Sequence, residues 1–391
     1  MARQEHPDSI AGRIVTGTAI GVGALAAAGA VAAAAVSVIF ARTVVTPPTK
    51  REEDVRILAN DDSTITMSAT LDSMTPGRYS LWFGQESGHA RVGEILSYTP
   101  DTVTRQLLGV DFGDLDTASR ARFSGWFYLG PHDLGLPHED VEIATELGPA
   151  PAWLIRAAGP TGRWMIGVHG RAVRRPETLR GVPVFHAAGY SSLLISYRND
   201  RDAPATQDNR YSLGDTEWND VEAAMQFAID NGAREIVLMG WSMGGATVLQ
   251  AATRSRLAKF VRGIVLESPV VDWVSALRFQ GELNKLPKPL DRLVLGLISR
   301  RWTGFLTGQA TPIDLGRLDF VTRSGELAVP ILLLHSDDDG YIPVDASKAL
   351  AAARPDIVTF EEFATARHTK LWNYDAERWN AAIAGWLEKV G

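Results

Sequence analysis

Gly240-Trp241-Ser242-Met243-Gly244 sets a serine between two glycines, directly after the apolar run Ile236-Val237-Leu238-Met239 and before a helix-favouring stretch. A hydroxyl placed at such a sharp strand-to-helix turn stands clear of the sheet, and glycines on both sides relieve the crowding that the turn creates. The helix that follows would aim its N-terminus at the site, where it favours developing negative charge. With Gly245 for close helix packing, the pattern points to Ser242 as the nucleophile of an acyl transfer rather than to a plain Gly/Ser-rich turn.

A serine nucleophile needs a base, and the base needs an orienting carboxylate. In the chain order serine, acid, histidine, only His335 and His368 follow Ser242. His335 closes an apolar strand, which suits packing or a local hydrogen bond. His368 lies in Thr365-Ala366-Arg367-His368-Thr369-Lys370-Leu371-Trp372, a loop after the last strand, where an imidazole can reach over the sheet edge. His368 is therefore the expected base. For the acid, His335-Ser336-Asp337-Asp338-Asp339-Gly340-Tyr341-Ile342-Pro343 offers three carboxylates, of which Asp339 is preferred and Asp337 comes next. Read as a metal site, the Asp run lacks alternating ligand spacing and a nearby H-E-x-x-H. The oxyanion would be held by the backbone N–H of Met243 and by a second amide, for which Arg171, after His169-Gly170, is the candidate. Arg171, Arg174 and Arg175 gather positive charge on this rim; a solvated loop is preferred there over a site for an anionic substrate group.

These residues need a scaffold. Apolar runs at Trp164–His169, Ser192–Tyr197, Glu235–Trp241, Gly263–Leu266, Ile331–His335 and Ile357–Phe360 alternate with helical stretches. Strands apolar on both faces, alternating with helices, predict a mostly parallel α/β sheet covered on both sides. A hairpin around Val141–Glu146 and Trp153–Ala157 should precede it. Asp272–Ser324 breaks the alternation and reads as a helical lid insertion within a domain spanning 137–391. Segments at Arg78–Phe83, Ala90–Ile95 and Val103–Val110 predict a β-rich accessory region over 55–136, joined by a Pro- and charge-rich linker at 46–54.

From Ile14 to Ala41 no residue is charged. As a helix that run would extend about 42 Å, enough to cross a hydrocarbon core of about 30 Å. A single-pass membrane helix within residues 1–45 is the expectation, a cleaved signal peptide its competitor, with the side of the membrane open. In either case the segment is expected to supply location and nothing to the chemistry, so that a chain starting near Val55 would be active. The 39 Lys and Arg against 46 Asp and Glu argue against nucleic acid as a partner. Zero cysteines exclude disulfides, thiolate zinc sites and a cysteine nucleophile.

From about Leu136 to Gly391 the sequence resembles the α/β-hydrolase superfamily. The resemblance rests on His169-Gly170, Tyr197-Arg198, Gly240-Trp241-Ser242-Met243-Gly244-Gly245, the strand-end Asp339 before Ile342-Pro343, and His368 four residues ahead of Trp372. It is most similar to membrane-anchored serine hydrolases of the dienelactone-hydrolase, acyl-peptidase and lysophospholipase-like groups. The resemblance implies Ser242 as nucleophile, Asp339 as acid, His368 as base, and Arg171 and Met243 as oxyanion amides. Ser336 departs from the glycine frequent in the family. The expected activity is hydrolysis of an ester, thioester or amide bond in a small-molecule, lipid or peptide acyl substrate, without metal or organic cofactor. A serine peptidase with the same triad, and a catalytically idle scaffold at the membrane, are the alternatives.

Overall fold

The computed structural model describes residues 31–390. Strands β1 (Val55–Asn60), β2 (Thr64–Ser68), β3 (Tyr79–Phe83), β4 (Gly88–Tyr98), β5 (Thr102–Phe112) and β6 (Arg120–Ser124) form a closed barrel in the order β1-β2-β5-β4-β3-β6. All its pairings are antiparallel, and β1 closes on β6 through Val55 opposite Ala121. Alternate residues such as Tyr79, Leu81 and Phe83 fill the interior with Ile65, Met67, Val92, Val103 and Phe123. The β-rich region expected over 55–136 is thus a barrel ending at Ser124. Three of its strands were predicted; β1, β2 and β6 were not, because VRILAN, TITMS and RARFS are too short and too polar to stand out.

The second region is one sheet of β7 (Glu139–Thr145), β8 (Gly148–Ile155), β9 (Arg163–Val168), β10 (Ser191–Ile195), β11 (Glu235–Trp241), β12 (Val261–Glu267), β13 (Ile331–Ser336) and β14 (Val358–Phe363). The order is β14-β13-β12-β11-β9-β10-β8-β7, parallel from β10 to β14 with the antiparallel β7–β8 hairpin at one edge. Strand periodicity sends neighbouring residues to opposite cores. Ile166, Leu238, Leu266 and Leu333 pack on one face, and Met165, Val237, Met239, Val265 and Leu332 on the other. Both faces are covered by helices, as the continuous apolar runs require. The insertion between β12 and β13 is helical at Trp273–Leu283, Lys288–Ser299 and Gly304–Thr307. Asp272 caps the first of these helices, accepting from Val274 N at 2.8 Å and Ser275 N at 3.1 Å.

The expected membrane span needs correction at its C-terminal end. Most of the run from Ile14 lies outside the described residues, and no described helix is long and apolar enough to cross a membrane. Residues 31–45 are helical, and Ser37, Ala41 and Val45 are fully buried. Spaced four apart, they form one face, and Ala41 and Val45 join the core beneath the sheet while Val36 and Ile39 stay exposed. The last turns therefore pack on protein. A side chain shared between lipid and a protein core cannot face both, and here the i, i+4 stripe faces the protein.

Candidate active site

The strand-to-helix turn after β11 puts Ser242 at φ +51° and ψ −117°, a left-handed conformation rare outside glycine, immediately before helix Met243–Arg254. The flanking glycines are sterically required. A Cβ on Gly240 would sit 2.5 Å from Gly244 O, and one on Gly244 would sit 2.2 Å from Val168 O. The turn is pinned by Ser242 N donating to Glu267 O at 3.0 Å and Val270 N donating to Ser242 O at 3.1 Å.

The loops of the parallel strand ends bring Ser242, His368 and Asp339 into one line. His368 Nε2 lies 3.0 Å from Ser242 Oγ, and His368 Nδ1 lies 2.7 Å from Asp339 Oδ2. Asp339 is buried. Its Oδ1 accepts from Tyr341 N at 2.8 Å and Ile342 N at 2.9 Å. Burial pushes its carboxyl up, but the charge of His368 and the hydrogen bonds of His335 and His368 outweigh that and hold it well below the usual carboxylate range. The other two carboxylates face elsewhere. Asp337 pairs with Lys348 Nζ at 2.7 Å, and Asp338 accepts from Ser336 Oγ at 2.7 Å and Arg367 N at 2.9 Å. Ser336, the departure from the family pattern, also accepts from Ala366 N at 2.8 Å, so it ties the acid loop to the histidine loop.

His335 is fully buried, with Nε2 3.1 Å from Asp339 Oδ2 and Nδ1 2.8 Å from Ser347 Oγ. It braces the acid and does not reach Ser242's hydroxyl. His169 is likewise structural, stacked on Tyr197 with its ring nitrogens 2.9 Å from Gly170 O and 2.7 Å from Asp200 Oδ2. Burial opposes the charged ring, but two acceptors and the Asp200 charge raise its pKa.

Gly170 packs on the nucleophile: a Cβ built on it would lie 3.2 Å from Ser242 Cβ. Gly170, directly before Arg171, thus lies against Ser242, and Met243 N, in the first helical turn, has no intrahelical acceptor. Two buried glutamates that sequence reasoning missed support this ground. Glu177 Oε2 accepts from Gly170 N at 3.0 Å, and Glu267 Oε2 accepts from Trp241 Nε1 at 2.8 Å and Trp379 Nε1 at 2.9 Å. Burial raises the pKa of Glu267. Glutamate in an apolar strand end, as in Val265-Leu266-Glu267, was the available signal.

The cationic rim is neither a solvated face nor free for an anion. Arg171 donates to the carbonyls of Thr43, Val44 (2.9 Å) and Thr46 (3.2 Å), capping helix 31–45. Arg174 donates to Glu86 at 3.1 Å, where the β3–β4 turn of the barrel meets the hydrolase body, and Arg175 donates to Ser196 Oγ at 2.7 Å and to Asp202. The segment ahead of Val55 thus holds the Arg171 side chain, one residue past the glycine that packs on Ser242.

The insertion also reaches the site. Gln280 Nε2 donates to Tyr341 O at 2.8 Å, and the Tyr341 ring stacks beside His368 with centroids 5.3 Å apart.

A mostly parallel sheet with a strained serine after β11 and a histidine loop after β14 defines the α/β-hydrolase class. Residues 165–382, more than half of the chain, match the alpha/beta hydrolase family, and the chain belongs to it. Residues 56–124, the barrel, match a domain of unknown function, DUF8805. No curated protein matches the chain. Among solved structures, the Pyrococcus furiosus esterase Pf2001 in space group P212121 is similar over 67% of this chain and 95% of its own, at 18% identity and TM-score 0.52. Its P21 form gives the same identity and TM-score and covers 97% of that chain. Est1E from Butyrivibrio proteoclasticus is similar at 15% identity and TM-score 0.47, over 64% of this chain and 98% of its own. At such identities the likeness concerns the fold.

Proposed function

We propose that the protein is a serine hydrolase that cleaves a carboxylic ester through an acyl-enzyme on Ser242. The observation that carries this reading is the hydrogen-bonded line from Ser242 Oγ through His368 to Asp339, at 3.0 and 2.7 Å. In the proposed cycle His368 Nε2 takes the Ser242 proton as Oγ attacks the ester carbonyl. The oxyanion lies toward the Met243 and Arg171 amides. Collapse expels the alcohol, which leaves with the proton from His368, and Ser242 keeps the acyl group. Water, deprotonated by His368, then releases the carboxylic acid and restores the serine. Asp339 fixes the imidazole with Nδ1 protonated and Nε2 free to accept, and stabilises the imidazolium. The likeness in fold to the Pyrococcus furiosus esterase Pf2001 supports the choice of ester substrates.

The test is fluorophosphonate labelling together with turnover of a p-nitrophenyl ester series. Wild type should label and turn over, and Ser242→Ala should do neither while keeping its melting temperature; continued labelling of that variant at another serine rejects the reading. Attachment to a membrane through the uncharged run from Ile14 is a separate proposal that rests on sequence alone. Carbonate extraction of membranes checks it: release of the full-length chain into the soluble fraction sinks it.

A further inference from the structure

The loop bearing His368 is held from outside the hydrolase body. Asp72 lies in the barrel, between β2 and β3, and spans the junction to two residues that bracket the histidine. Its Oδ1 accepts from Arg367 Nε at 3.1 Å, and its Oδ2 lies 2.8 Å from Lys370 Nζ. All three side chains are largely shielded from solvent, so the contacts are screened less than open surface pairs.

The loop needs such restraint. Arg367 and Thr369, on either side of His368, have φ of +62° and +49°. Two left-handed non-glycine residues in three positions persist only where the surroundings over-determine them. From the hydrolase side, Arg367 Nη1 donates to Asp338 O at 2.6 Å, Thr369 N to Ser268 Oγ at 3.1 Å, and Arg180 Nη1 to Thr369 O at 2.7 Å. From the barrel side the charged restraint is Asp72.

Asp72 is itself braced. Arg105 of β5, fully buried and with no carboxylate partner among the described residues, donates to Ser73 O at 2.8 Å, Thr75 O at 2.9 Å, Gly77 O at 2.6 Å and Gly93 O at 2.9 Å. One guanidinium therefore ties loop 69–78 to the barrel wall. At its last residue, Arg78 N donates to Asn373 O at 3.1 Å and Asn373 Nδ2 donates back to Arg78 O at 2.9 Å, joining the same two regions just downstream of the histidine.

We propose that Asp72 is a positioning residue for His368, and that the barrel serves the reaction by holding the histidine loop so that Nε2 stays within reach of Ser242. The proposal rests on the acyl-transfer reading above. Asp72 touches no reacting atom and acts through Arg367 and Lys370, so its removal lowers turnover and leaves substrate binding nearly intact. A misplacement of about 1 Å at a reacting group costs on the order of a hundredfold in rate.

The experiment uses the full chain and p-nitrophenyl butyrate. Asp72→Ala should lower kcat by roughly ten- to a hundredfold with KM within about twofold, and Asp72→Glu should recover most of the loss. Introduced into His368→Ala, Asp72→Ala should add no further loss, because a residue acting through His368 has nothing left to position. An equal loss in both backgrounds, or a wild-type kcat in Asp72→Ala, overturns the assignment. Should Asp72→Ala not fold, Lys370→Met cuts the same link from the other side and is judged by the same criteria. The two readings fail separately: an active Ser242→Ala removes the acyl-transfer reading, whereas a dead Ser242→Ala beside a fully active Asp72→Ala removes only the role of the barrel.

Discussion

Arg105 in the barrel and Asp339 in the hydrolase body are both shut away from water, yet they are accommodated in different ways. Arg105 lies among four carbonyls with the Tyr79 and Phe123 rings 5.1 and 5.4 Å from its guanidinium, and burial lowers its pKa to about 10. Asp339 has two histidines and two backbone amides. The architecture explains the contrast. Closing the barrel leaves an apolar interior, and there the Arg105 guanidinium fastens loop 69–78. An open parallel sheet ends its central strands along one edge, and there the loops bring opposite charges together. Arg105 fastens a loop, whereas Asp339 stands in the line that leads through His368 to Ser242.

The largest expected effect tests the chemical half. Asp339→Asn should lower kcat/KM by roughly a thousand- to ten-thousandfold, since the amide disturbs the imidazole tautomer while keeping the shape. The same substitution changes acid stability. The folded Asp339 carboxyl titrates below its unfolded value of about 3.9. Its stabilisation is therefore complete above that pH and is lost as pH falls through the folded value. Denaturant midpoints measured from pH 7 downward should fall less steeply below about pH 4 in Asp339→Asn than in wild type. Parallel curves would mean that Asp339 does not carry this linkage.

The architectural half is tested by Arg105→Met, which leaves four carbonyls without their donor. A loss of roughly 3–5 kcal/mol is expected, the scale for breaking a buried charged network. Urea unfolding followed by barrel tryptophan fluorescence measures it, and a loss below about 1 kcal/mol would place Arg105 with ordinary surface residues.

A smaller effect separates the helix of residues 31–45 from a mere address label. Starting the chain at Val55 removes the buried Ala41 and Val45 and the three carbonyls that hold Arg171. Turnover should fall about tenfold with a lower melting temperature, because Gly170, the neighbour of Arg171, packs against Ser242. Unchanged kcat in the shortened chain would return that segment to a purely locational role. The smallest change is Glu267→Gln. Its Oε2 can be replaced by an amide oxygen facing Trp241 and Trp379, while the amide nitrogen meets only the weak 3.3 Å contact from Leu371 N. Chemical denaturation should register about 1 kcal/mol, the worth of one ordinary hydrogen bond; several times that would show that the charge itself is needed behind the nucleophile.

How far the sequence could be read differs between the two regions for the same physical reason. Glu235–Arg254 declares strand, turn and helix within twenty residues, so Ser242 was legible from local pattern. Asp339 and His368 were legible from chain order and from their places after apolar strands. Asp72 had no such signal: Thr70-Leu71-Asp72-Ser73 reads as an ordinary polar loop. Arg174 and Arg175 looked like a solvated cluster because their partners Glu86 and Asp202 lie 88 and 27 residues away.

By itself the sequence determined the alternation of apolar strands and helices over 137–391, the turn that exposes Ser242, and the order of the three residues that meet there. The first two show in side-chain periodicity and in a strand-turn-helix pattern that spans a few residues, and the third is chain order itself. Only the tertiary structure decided that β1 closes on β6, that Ala41 and Val45 turn into the core, and that Asp72 grips the loop of His368 across 295 residues of chain. Those contacts depend on the register of a closed barrel and the docking of two surfaces. Their free energy arises from atoms that become neighbours only after each region has folded.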